Sequence, residues 1–555
     1  MLTHIGNLFA FMGGLGMFLY GMNIMASGLQ KTAGNKMKEL LGYLTNNRFL
    51  GVLAGAFITA IIQSSSATTV MVVGFVNAGI MNLTQAAGVI MGANIGTTIT
   101  AWLVSANEWA GVLKPDFFAP FILGIGAFVL TFSRNEKLTQ KAEIAVGFGI
   151  LFIGLSVMSD SVGVYRDGLI FYKVFQILGN NPIFGILAGA FVTAVIQSSS
   201  ASVGILQTLA VKGIVNWRSA IFITLGQNIG TCITAILSSA GANKTAKRAA
   251  AVHLMFNIMG AVIYGIIMTI FFGIFQNLAS KSISSTQISI FHTIFNVSVT
   301  ILLFPFANVL VKLSGFIIHE EFEEDRNEEI EEEVLRHLDL RILETPSFAV
   351  ENAVKEVVRM GNIVLSNLNR ITEEILDNDF HREKVNGIFQ NEQVINHLET
   401  MITEYLVKIS QLALTEKQMM TINNLFDSIT DIERAGDHVE NIAEYVQSLK
   451  EANFYFTKEA SAELQEIIEY VQKALYHAIC AIEKDSIKEA QIVNANEKKV
   501  DKIEKQIRKE HIQRLKRETC IPEAGVYYLD IVSSLERISD HADNIAGYVF
   551  SQNDK

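Results

Sequence analysis

The sequence predicts an all-α protein in which a polytopic membrane domain precedes a helical-bundle domain, and three observations support this prediction. First, hydrophobic residues form 50% of the 555 residues and charged residues only 18%, against roughly 25% in typical soluble proteins. Second, residues 1–314 carry 17 basic and 7 acidic residues (net +10), and the remaining 27 and 48 give −21. Third, both parts contain internal repeats.

Long apolar runs set the limits of the membrane domain. We expect this domain over residues 1–316, an acidic connector over 317–343 and a soluble helical domain over 344–555. The runs lie at about 4–29, 117–132, 142–159, 249–275 and 288–313, each close to the length that crosses ~30 Å of hydrocarbon.

Other apolar segments of this domain are of a different kind. Residues 51–62 and 68–80 are too short to span a bilayer, and they flank the polar cluster Gln63-Ser64-Ser65-Ser66. This arrangement predicts a re-entrant helical hairpin. Residues 84–105 are long enough to span, but glycine, asparagine and threonine interrupt their middle, which predicts a broken helix lining a cavity.

The same segments recur 134 residues later. Residues 51–67 and 185–201 are identical at 14 of 17 positions, and the motif Gly-x-Asn-Ile-Gly-Thr at 92–97 recurs at 226–231. Each unit therefore comprises a helix, a re-entrant hairpin, a broken helix and a further helix.

The two repeats span about 5–132 and about 142–275, and an extra helix follows at about 288–313. With the N-terminus outside, most basic clusters fall on the inner side, the two repeats become inverted, and the C-terminal domain is cytoplasmic. Inverted repeats with discontinuous helices at mid-membrane are typical of secondary transporters.

Candidate substrate ligands are the polar groups that both repeats place inside apolar flanks. A serine run at the tip of a half-helix offers hydroxyls and free backbone N–H groups to an anion, and carbonyl and hydroxyl oxygens suit Na⁺. A cap and turn is the alternative for the serine motifs, and close helix packing through the glycines is the alternative for the second motif. The candidates are Gln63, Ser64, Ser65, Ser66, Gln197, Ser198, Ser199, Ser200, Asn94, Thr97, Asn228 and Thr231.

From residue 344 onward, apolar residues recur at helical spacing and a second repeat is present. The motif Glu433-Arg434-x2-Asp437-His438 recurs as Glu536-Arg537-x2-Asp540-His541, at an offset of 103. Two related helical bundles are therefore expected. Carboxylates four residues apart share one helix face, so with histidine they predict either a divalent-metal site or a polar network between helices.

Taken together, these motifs resemble a known family. The paired Gln-Ser-Ser-Ser and Gly-x-Asn-Ile-Gly-Thr motifs are similar to those of type II sodium/phosphate cotransporters, and the Glu-Arg-x2-Asp-His-x2-Asn-Ile-Ala repeats resemble PhoU domains. The combination resembles bacterial Na/Pi cotransporters with a PhoU-like tail. This resemblance implies a sodium-coupled phosphate symporter of the bacterial inner membrane that works by alternating access and has a regulatory cytoplasmic tail.

The resemblance also implies metal in the tail, because PhoU domains hold divalent or iron metal through Asp/Glu-x3-Asp motifs. Asp427-x3-Asp431 fits that pattern, whereas the second copy departs from it at Ser534. The expected metal ligands are Asp427, Asp431, Asp437 and Asp540.

Expected partners are phosphate, Na⁺, membrane lipid and phosphate-signalling proteins, with no nucleic acid. A phosphate-sensing membrane protein whose working part is the tail is the alternative function. An enzyme has little support, since the membrane part contains no nucleophile–His–carboxylate set.

Overall fold

The computed structural model describes residues 2–44, 47–108, 114–165, 173–174, 177–178, 181–318, 338–376 and 380–553. Within these residues the protein is almost entirely helical, as predicted. The chain divides into two compact units, Met1–Phe348 and Ala349–Lys555. Of the expected acidic connector (317–343), residues 319–337 lie outside the described residues, while residues 338–343 belong to the first unit. That unit extends to Phe348, five residues into the expected soluble domain.

The first unit contains long helices and pairs of short ones. Its α-helices are α1 (Leu2–Leu44), α2 (Arg48–Ile62), α3 (Ser65–Asn77), α4 (Leu83–Ser105), α5 (Pro115–Phe132), α6 (Glu136–Gly163), α7 (Pro182–Ile196), α8 (Ser199–Val211), α9 (Trp217–Gly230), α10 (Cys232–Ser238), α11 (Lys244–Ile274), α12 (Gln276–Ala279), α13 (Ser285–Leu303) and α14 (Ala307–Ile317). Among the described residues, seven helical stretches are long and apolar enough to cross a membrane: His4–Ala33, Leu83–Glu108, Pro115–Phe132, Glu136–Gly163, Trp217–Ser238, Lys244–Ile274 and Ser285–Ile317.

The helices repeat at the offset that the sequence predicts. The boundaries of α2 and α3 and the start of α4 recur 134 residues later in α7, α8 and α9 (182 − 48 = 134). The paired helices have 15 and 13 residues, so neither reaches across ~30 Å of hydrocarbon. Each pair therefore forms a helical hairpin, which we name hairpin 1 (α2 and α3) and hairpin 2 (α7 and α8).

Asparagine side chains fix where several of these helices begin. The side-chain oxygens of Asn47 and Asn181 accept backbone N–H groups at the starts of α2 and α7. Those of Asn82 and Asn216 do the same for α4 and α9. Asparagine is among the most favourable N-caps, so these residues set the same boundaries in both repeats.

The long helix of each repeat packs on the first helix of its hairpin through glycines. A Cβ atom added to Gly92 would lie 2.0 Å from the carbonyl oxygen of Val52, and one added to Gly226 would lie 1.9 Å from that of Ile186. Since no side chain fits there, the two backbones are in direct contact. The motif Gly-x-Asn-Ile-Gly-Thr thus has a packing role in both repeats.

The expected helix break differs between the repeats. In the second repeat the helix divides into α9 and α10 at Thr231, but the backbone of Thr231 keeps helical angles (φ −61°, ψ −27°), so no unwound segment separates them. In the first repeat α4 is continuous, so the predicted break is absent there. The helix accommodates Asn94 and Thr97 because their side chains donate to the carbonyl oxygens of Ile90 and Ala93, one turn earlier.

Helices α1 and α6 pack on each other through further glycines. A Cβ atom on Gly21 would lie 2.4 Å from the backbone nitrogen of Leu151, and one on Gly147 would lie 2.3 Å from that of Met25. Nearby, Lys31 of α1 donates to the Glu143 carboxylate of α6 at 2.7 Å, and both side chains are mostly buried. This ion pair fixes the register of the two helices, because separating it would leave a poorly solvated charge on each.

The described part of the second unit contains six long helices. They are α15 (Pro346–Leu376), α16 (Arg382–Ser410), α17 (Glu416–Glu451), α18 (Lys458–Lys484), α19 (Ile487–Lys516) and α20 (Pro522–Asn553). Apolar side chains at spacings of three and four residues, such as Ile395, Leu398 and Ile402 of α16, are fully buried. Helices α18, α19 and α20 pack together as a bundle, and α20 also packs along α17.

The glycine contact in the second repeat yields a test of the fold. Gly226→Ala should lower the stability of the protein by about 1–3 kcal/mol, because the added methyl group forces apart two backbones that now touch. Thermal unfolding in detergent, followed by the loss of monodisperse protein, measures the effect. Gly273→Ala in α11 is the matched control, since no atom lies within 4 Å of its Cβ position. Equal stability of the two variants would contradict the contact.

Candidate functional site

Each Gln-Ser-Ser-Ser motif forms the turn between the two helices of a hairpin. Gln63 and Gln197 follow the first helices in the left-handed backbone conformation, with φ of 57° and 56°. Ser64 and Ser198 then cap α3 and α8, and their side chains accept backbone N–H groups at 3.1 and 3.2 Å. The cap-and-turn interpretation therefore holds for the first two residues of each motif. A left-handed residue other than glycine costs roughly 1–2 kcal/mol, so the surrounding packing must hold the turn.

The structure brings the two serine motifs together. Ser65 and Ser199 are the first residues of α3 and α8, and their buried Oγ atoms lie 3.4 Å apart. The N-terminal ends of two half-helices from different repeats therefore meet. Hydroxyls, backbone N–H groups and the positive ends of two helix dipoles are gathered there without a basic residue in either motif. Ser66 and Ser200 follow directly, and Ser200 is also buried.

A pair of hydroxyls inside each hairpin was missed by the sequence interpretation. Thr59 donates to Thr68 at 3.0 Å in hairpin 1, and Thr193 donates to Ser202 at 2.8 Å in hairpin 2. All four side chains are buried. The available signal was the repeat itself, since Thr59 and Thr193 lie inside the nearly identical 17-residue segments.

The predicted asparagine and threonine ligands are buried but bond to their own helices. Asn228 donates to the carbonyl oxygen of Thr224, and Thr231 to that of Gln227, as Asn94 and Thr97 do in the first repeat. These residues lie on the helices that pack against the hairpins. The serine hydroxyls, in contrast, are the predicted ligands that the structure joins across the repeats.

The two glutamines of the motifs have different surroundings. Gln63 is buried, and its side-chain oxygen accepts a hydrogen bond from Thr100 of α4 at 3.0 Å. Gln197 is exposed, and the described residues provide no hydrogen-bond partner for its side chain. Hairpin 1 is therefore tied to its long helix at the tip, whereas hairpin 2 has a free tip side chain.

Gln227 supplies a polar group that the first repeat lacks. It occupies the position of Ala93 (227 − 93 = 134), and its amide nitrogen donates to the backbone and side-chain oxygens of Ser202, both at 2.9 Å. Its carbonyl oxygen Oε1 is buried without a hydrogen-bond partner among the described residues. A buried carbonyl oxygen without a hydrogen-bond partner costs free energy. It is therefore suited to coordinate a bound cation or to accept a hydrogen bond from a water molecule.

Residues 338–348, which we name the strap, lie against the end of hairpin 1. Asp339 accepts a hydrogen bond from Asn77, the last residue of α3, at 2.7 Å. Asn77 in turn accepts the backbone N–H of Asn243, the N-cap of α11, at 2.8 Å. The ring of Phe348 packs edge-on against Phe75, with ring centres 5.7 Å apart, and both rings are fully buried. The last three residues of the strap, 346–348, form the start of α15.

Four carboxylates in the second unit form a group, which we name cluster A. Glu392 of α16 is 3% exposed, and neither carboxylate oxygen has a hydrogen-bond partner among the described residues. Burial and the nearby charges of Glu440, Asp437 and Glu433 raise the pKa of Glu392 to about 8. A carboxylate without donors beside other carboxylates has the character of a cation ligand, since only a proton or a cation relieves its charge.

A second group, cluster B, consists of Glu497, Asp501 and Asp540. One carboxylate oxygen from each lies within 4.8 Å of the others. Burial and neighbouring carboxylates raise the pKa values of Glu497 and Asp540. Glu497 corresponds to Glu392 in the domain repeat (497 − 392 = 105), and Asp540 corresponds to Asp437. Glu392 and Glu497 therefore occupy equivalent positions of the duplicated bundle, but among the described residues only cluster B brings three carboxylates within reach of one ion.

The structure separates the four predicted metal ligands. Asp437 belongs to cluster A and Asp540 to cluster B, while Asp427 is exposed. Asp431 accepts hydrogen bonds from His541 (2.8 Å), Asn544 (3.1 Å) and Tyr548 (2.8 Å) of α20. Although burial opposes the shift, these three bonds lower the pKa of Asp431. Asp431 thus takes part in the polar network that was the alternative to metal binding.

Family models match both parts of the chain. The model described as Na⁺/Pi-cotransporter matches residues 17–160 and 168–301, which is about half of the chain. The model described as PhoU domain matches residues 357–446 and 464–549.

Individual proteins are similar to the same parts. A Salmonella typhimurium protein named "Putative inorganic phosphate export protein YjbB" is 22% identical over 97% of this chain and 96% of its own length. The Ovis aries "Sodium-dependent phosphate transport protein 2A" is 23% identical over 45% of this chain and 59% of its own. The crystal structure of PhoU from Pseudomonas aeruginosa covers 37% of this chain and 96% of its own, with 24% identity and a TM-score of 0.35.

Proposed function

This chain belongs to the Na⁺/Pi-cotransporter family and carries two PhoU repeats, and from that premise we propose that it is a sodium-coupled carrier of inorganic phosphate. The observation that carries the proposal is the meeting of Ser65 and Ser199, with Oγ atoms 3.4 Å apart. Phosphate binds where the two half-helix N-termini converge, held by hydroxyls and backbone N–H groups and stabilised by two helix dipoles. The remaining serines of both motifs complete the site.

Sodium ions bind beside the phosphate at uncharged oxygens. The free carbonyl oxygen of Gln227 and the hydroxyls of Thr193 and Ser202 provide such oxygens about one turn from the tip of hairpin 2. Oxygen ligands of this kind coordinate Na⁺ at mid-membrane sites of transporters, and α9 ends at Gly230, about one turn after Gln227. The cation offsets the charge of the phosphate, which couples the two ligands.

The two repeats are inverted in the membrane, with the N-terminus outside and the second unit in the bacterial cytoplasm. The excess of basic residues in the loops assigned to the inner side supports this orientation. Hairpins that enter from opposite sides and meet at their tips give alternating access, because each can open a path to one side. The name of the Salmonella relative refers to phosphate export. Export is compatible with this proposal, because the combined gradients of phosphate and Na⁺ set the direction of net transport by such a carrier.

The transport proposal is tested with the full chain in proteoliposomes. Labelled phosphate uptake should require an inward Na⁺ gradient, and Ser65→Ala and Ser199→Ala should each lower uptake about tenfold or more. The reason is that one hydrogen bond to a charged group contributes about 1.5–3 kcal/mol. Ser161→Ala is the matched control, since that hydroxyl bonds only to the carbonyl oxygen of Val157 in its own helix. Uptake that ignores the gradient and both tip variants would refute the mechanism.

The second unit regulates the carrier through the strap. The chain of hydrogen bonds from Asp339 through Asn77 to Asn243 joins the start of α15 to the inner end of hairpin 1 and to α11. While these hydrogen bonds are formed, the strap restrains the movement of this end of hairpin 1. The alternative function, a phosphate sensor whose working part is the tail, would use the same strap to carry a signal in the opposite direction.

The strap makes a specific prediction for transport. Asp339→Ala should raise the initial uptake rate about two- to fivefold, since removing a buried hydrogen bond of ~1 kcal/mol loosens the inner end of hairpin 1. Asn77→Ala should act at least as strongly, because it also removes the bond to Asn243, and the double variant should equal Asn77→Ala, since the bond between Asp339 and Asn77 is already lost. Lys137→Ala in α6 is the control, since its side chain is exposed. Unchanged uptake in both strap variants would exclude regulation by this route.

Clusters A and B hold divalent or iron ions in this proposal. Their ligands are carboxylates, which favour hard cations, and Glu392 has no donor that would otherwise satisfy it. Mn²⁺ binding to the full chain in detergent should weaken as the pH falls from 8 to 6. A proton then occupies Glu392, whose pKa is about 8, and competes with the metal.

The matched variants separate the two clusters. Glu392→Gln should lower Mn²⁺ affinity at cluster A at least tenfold and reduce its pH dependence, whereas Glu497→Gln should affect cluster B only. Asp427→Asn is the control outside both clusters. Equilibrium dialysis measures each affinity, and full binding by the double variant Glu392→Gln/Glu497→Gln would overturn the assignment.

A further inference from the structure

One helix of the second unit carries a basic surface. Helix α19 contains nine basic and five acidic residues, and eight of the basic ones are exposed while the five acidic ones are partly buried. The exposed basic residues are Lys488, Lys498, Lys499, Lys502, Lys505, Arg508, Lys509 and Lys516. The ninth, Arg514, pairs with Glu463. We name the exposed side of α19 the basic face.

The basic face stands out against its surroundings. Residues 349–555 carry 24 basic and 36 acidic residues, a net charge of −12, so most of the unit repels anionic partners. Lys498, Lys502, Lys505 and Lys509 follow each other at spacings of four and three residues, which places them in one row along the helix. Of these, Lys505 pairs with Asp501 on the same helix, and the other three form no ion pair with the described residues.

Exposed aliphatic side chains continue the row. Ile512 lies three residues beyond Lys509 and is 51% exposed. Leu515 of the same helix and Ile521 and Val526 after it are 36%, 47% and 60% exposed. Aliphatic groups at the end of a lysine row are of no use for binding nucleic acid or a highly charged protein. They suit a surface that offers negative charge and hydrocarbon together.

We propose that the basic face of α19 docks on an anionic lipid surface. Lysine and arginine near such a surface contribute about 1 kcal/mol each, and exposed aliphatic groups gain by entering the boundary between headgroups and acyl chains. The chain also spans a membrane, so a bilayer is always present at high effective concentration. The docking turns the basic side of the unit to the lipid and leaves its acidic sides in water. This inference does not depend on which ion or substrate the membrane unit carries.

The test uses the full chain in lipid nanodiscs. The surface thiol is removed by Cys520→Ser, since Cys232 and Cys480 are buried, and Ile512→Cys is labelled with a polarity-sensitive fluorophore. In discs that contain phosphatidylglycerol the emission should shift to the blue relative to discs of phosphatidylcholine alone. The shift should vanish when salt is raised from about 0.1 M to about 1 M, because the Debye length falls from ~10 Å to ~3 Å.

Charge variants decide the assignment. The triple variant Lys502→Glu/Lys505→Glu/Lys509→Glu should abolish the shift. The matched triple variant Lys355→Glu/Lys408→Glu/Lys458→Glu changes three exposed lysines on other helices and should retain it. Because all six lysines are exposed, neither variant disturbs the core. Emission that is equal in both lipids overturns the proposal, as does a shift that survives the first triple variant. A shift produced by duplex DNA in phosphatidylcholine discs would assign the basic face to nucleic acid instead.

Discussion

Two backbone contacts, one in each repeat, position the groups around the hairpin tips. Gly92 and Gly226 bring the long helices so close to α2 and α7 that a methyl group would lie 2.0 and 1.9 Å from a carbonyl oxygen. At this distance a hairpin cannot slide or rotate against its long helix, since packed backbones leave no compliant side chains between them. The side-chain hydrogen bonds near the hairpin tips depend on this alignment of each hairpin with its long helix. Gln63 reaches Thr100 in the first repeat, and Gln227 reaches Ser202 in the second.

Duplication gives the two hairpins the same turn, and small substitutions give them different partners. The left-handed glutamines have φ values within one degree of each other, yet one is buried and bonded while the other is exposed. The exchange of Ala93 for Gln227 adds a buried carbonyl oxygen beside hairpin 2 alone. In the proposed mechanism, two equal hairpins would leave a coupling cation no preferred side. The asymmetry gives it one, because the additional carbonyl oxygen of Gln227 lies beside hairpin 2.

The sequence predicted the hairpins well, because each turn is specified by residues that act locally and are duplicated. It failed for the break in α4, since Asn94 and Thr97 satisfy their side chains by bonding one turn back, which no periodicity shows. The strap could not be predicted, as Asp339 resembles any residue of an acidic connector until α3 supplies Asn77. Same-helix spacing suggested Asp427 and Asp431 as a metal pair. The carboxylate groups instead form between helices, and only the recurrence of Glu392 as Glu497 pointed to them.

Helix α19 joins two electrostatic features of the second unit. Its inward side supplies Glu497 and Asp501 to cluster B, and its exposed side carries the lysine row. Asp501 also pairs with Lys505, at 3.2 Å, so one carboxylate serves both sides of the helix. A cation held by Asp501 competes with Lys505 for the same oxygens, and it lowers the attraction that draws this lysine inward. If cluster B holds the proposed ion, its occupation would release positive charge toward the exposed side. An ion bound at cluster B would in this way strengthen the proposed contact of the basic face with an anionic surface, without any change in the helices themselves.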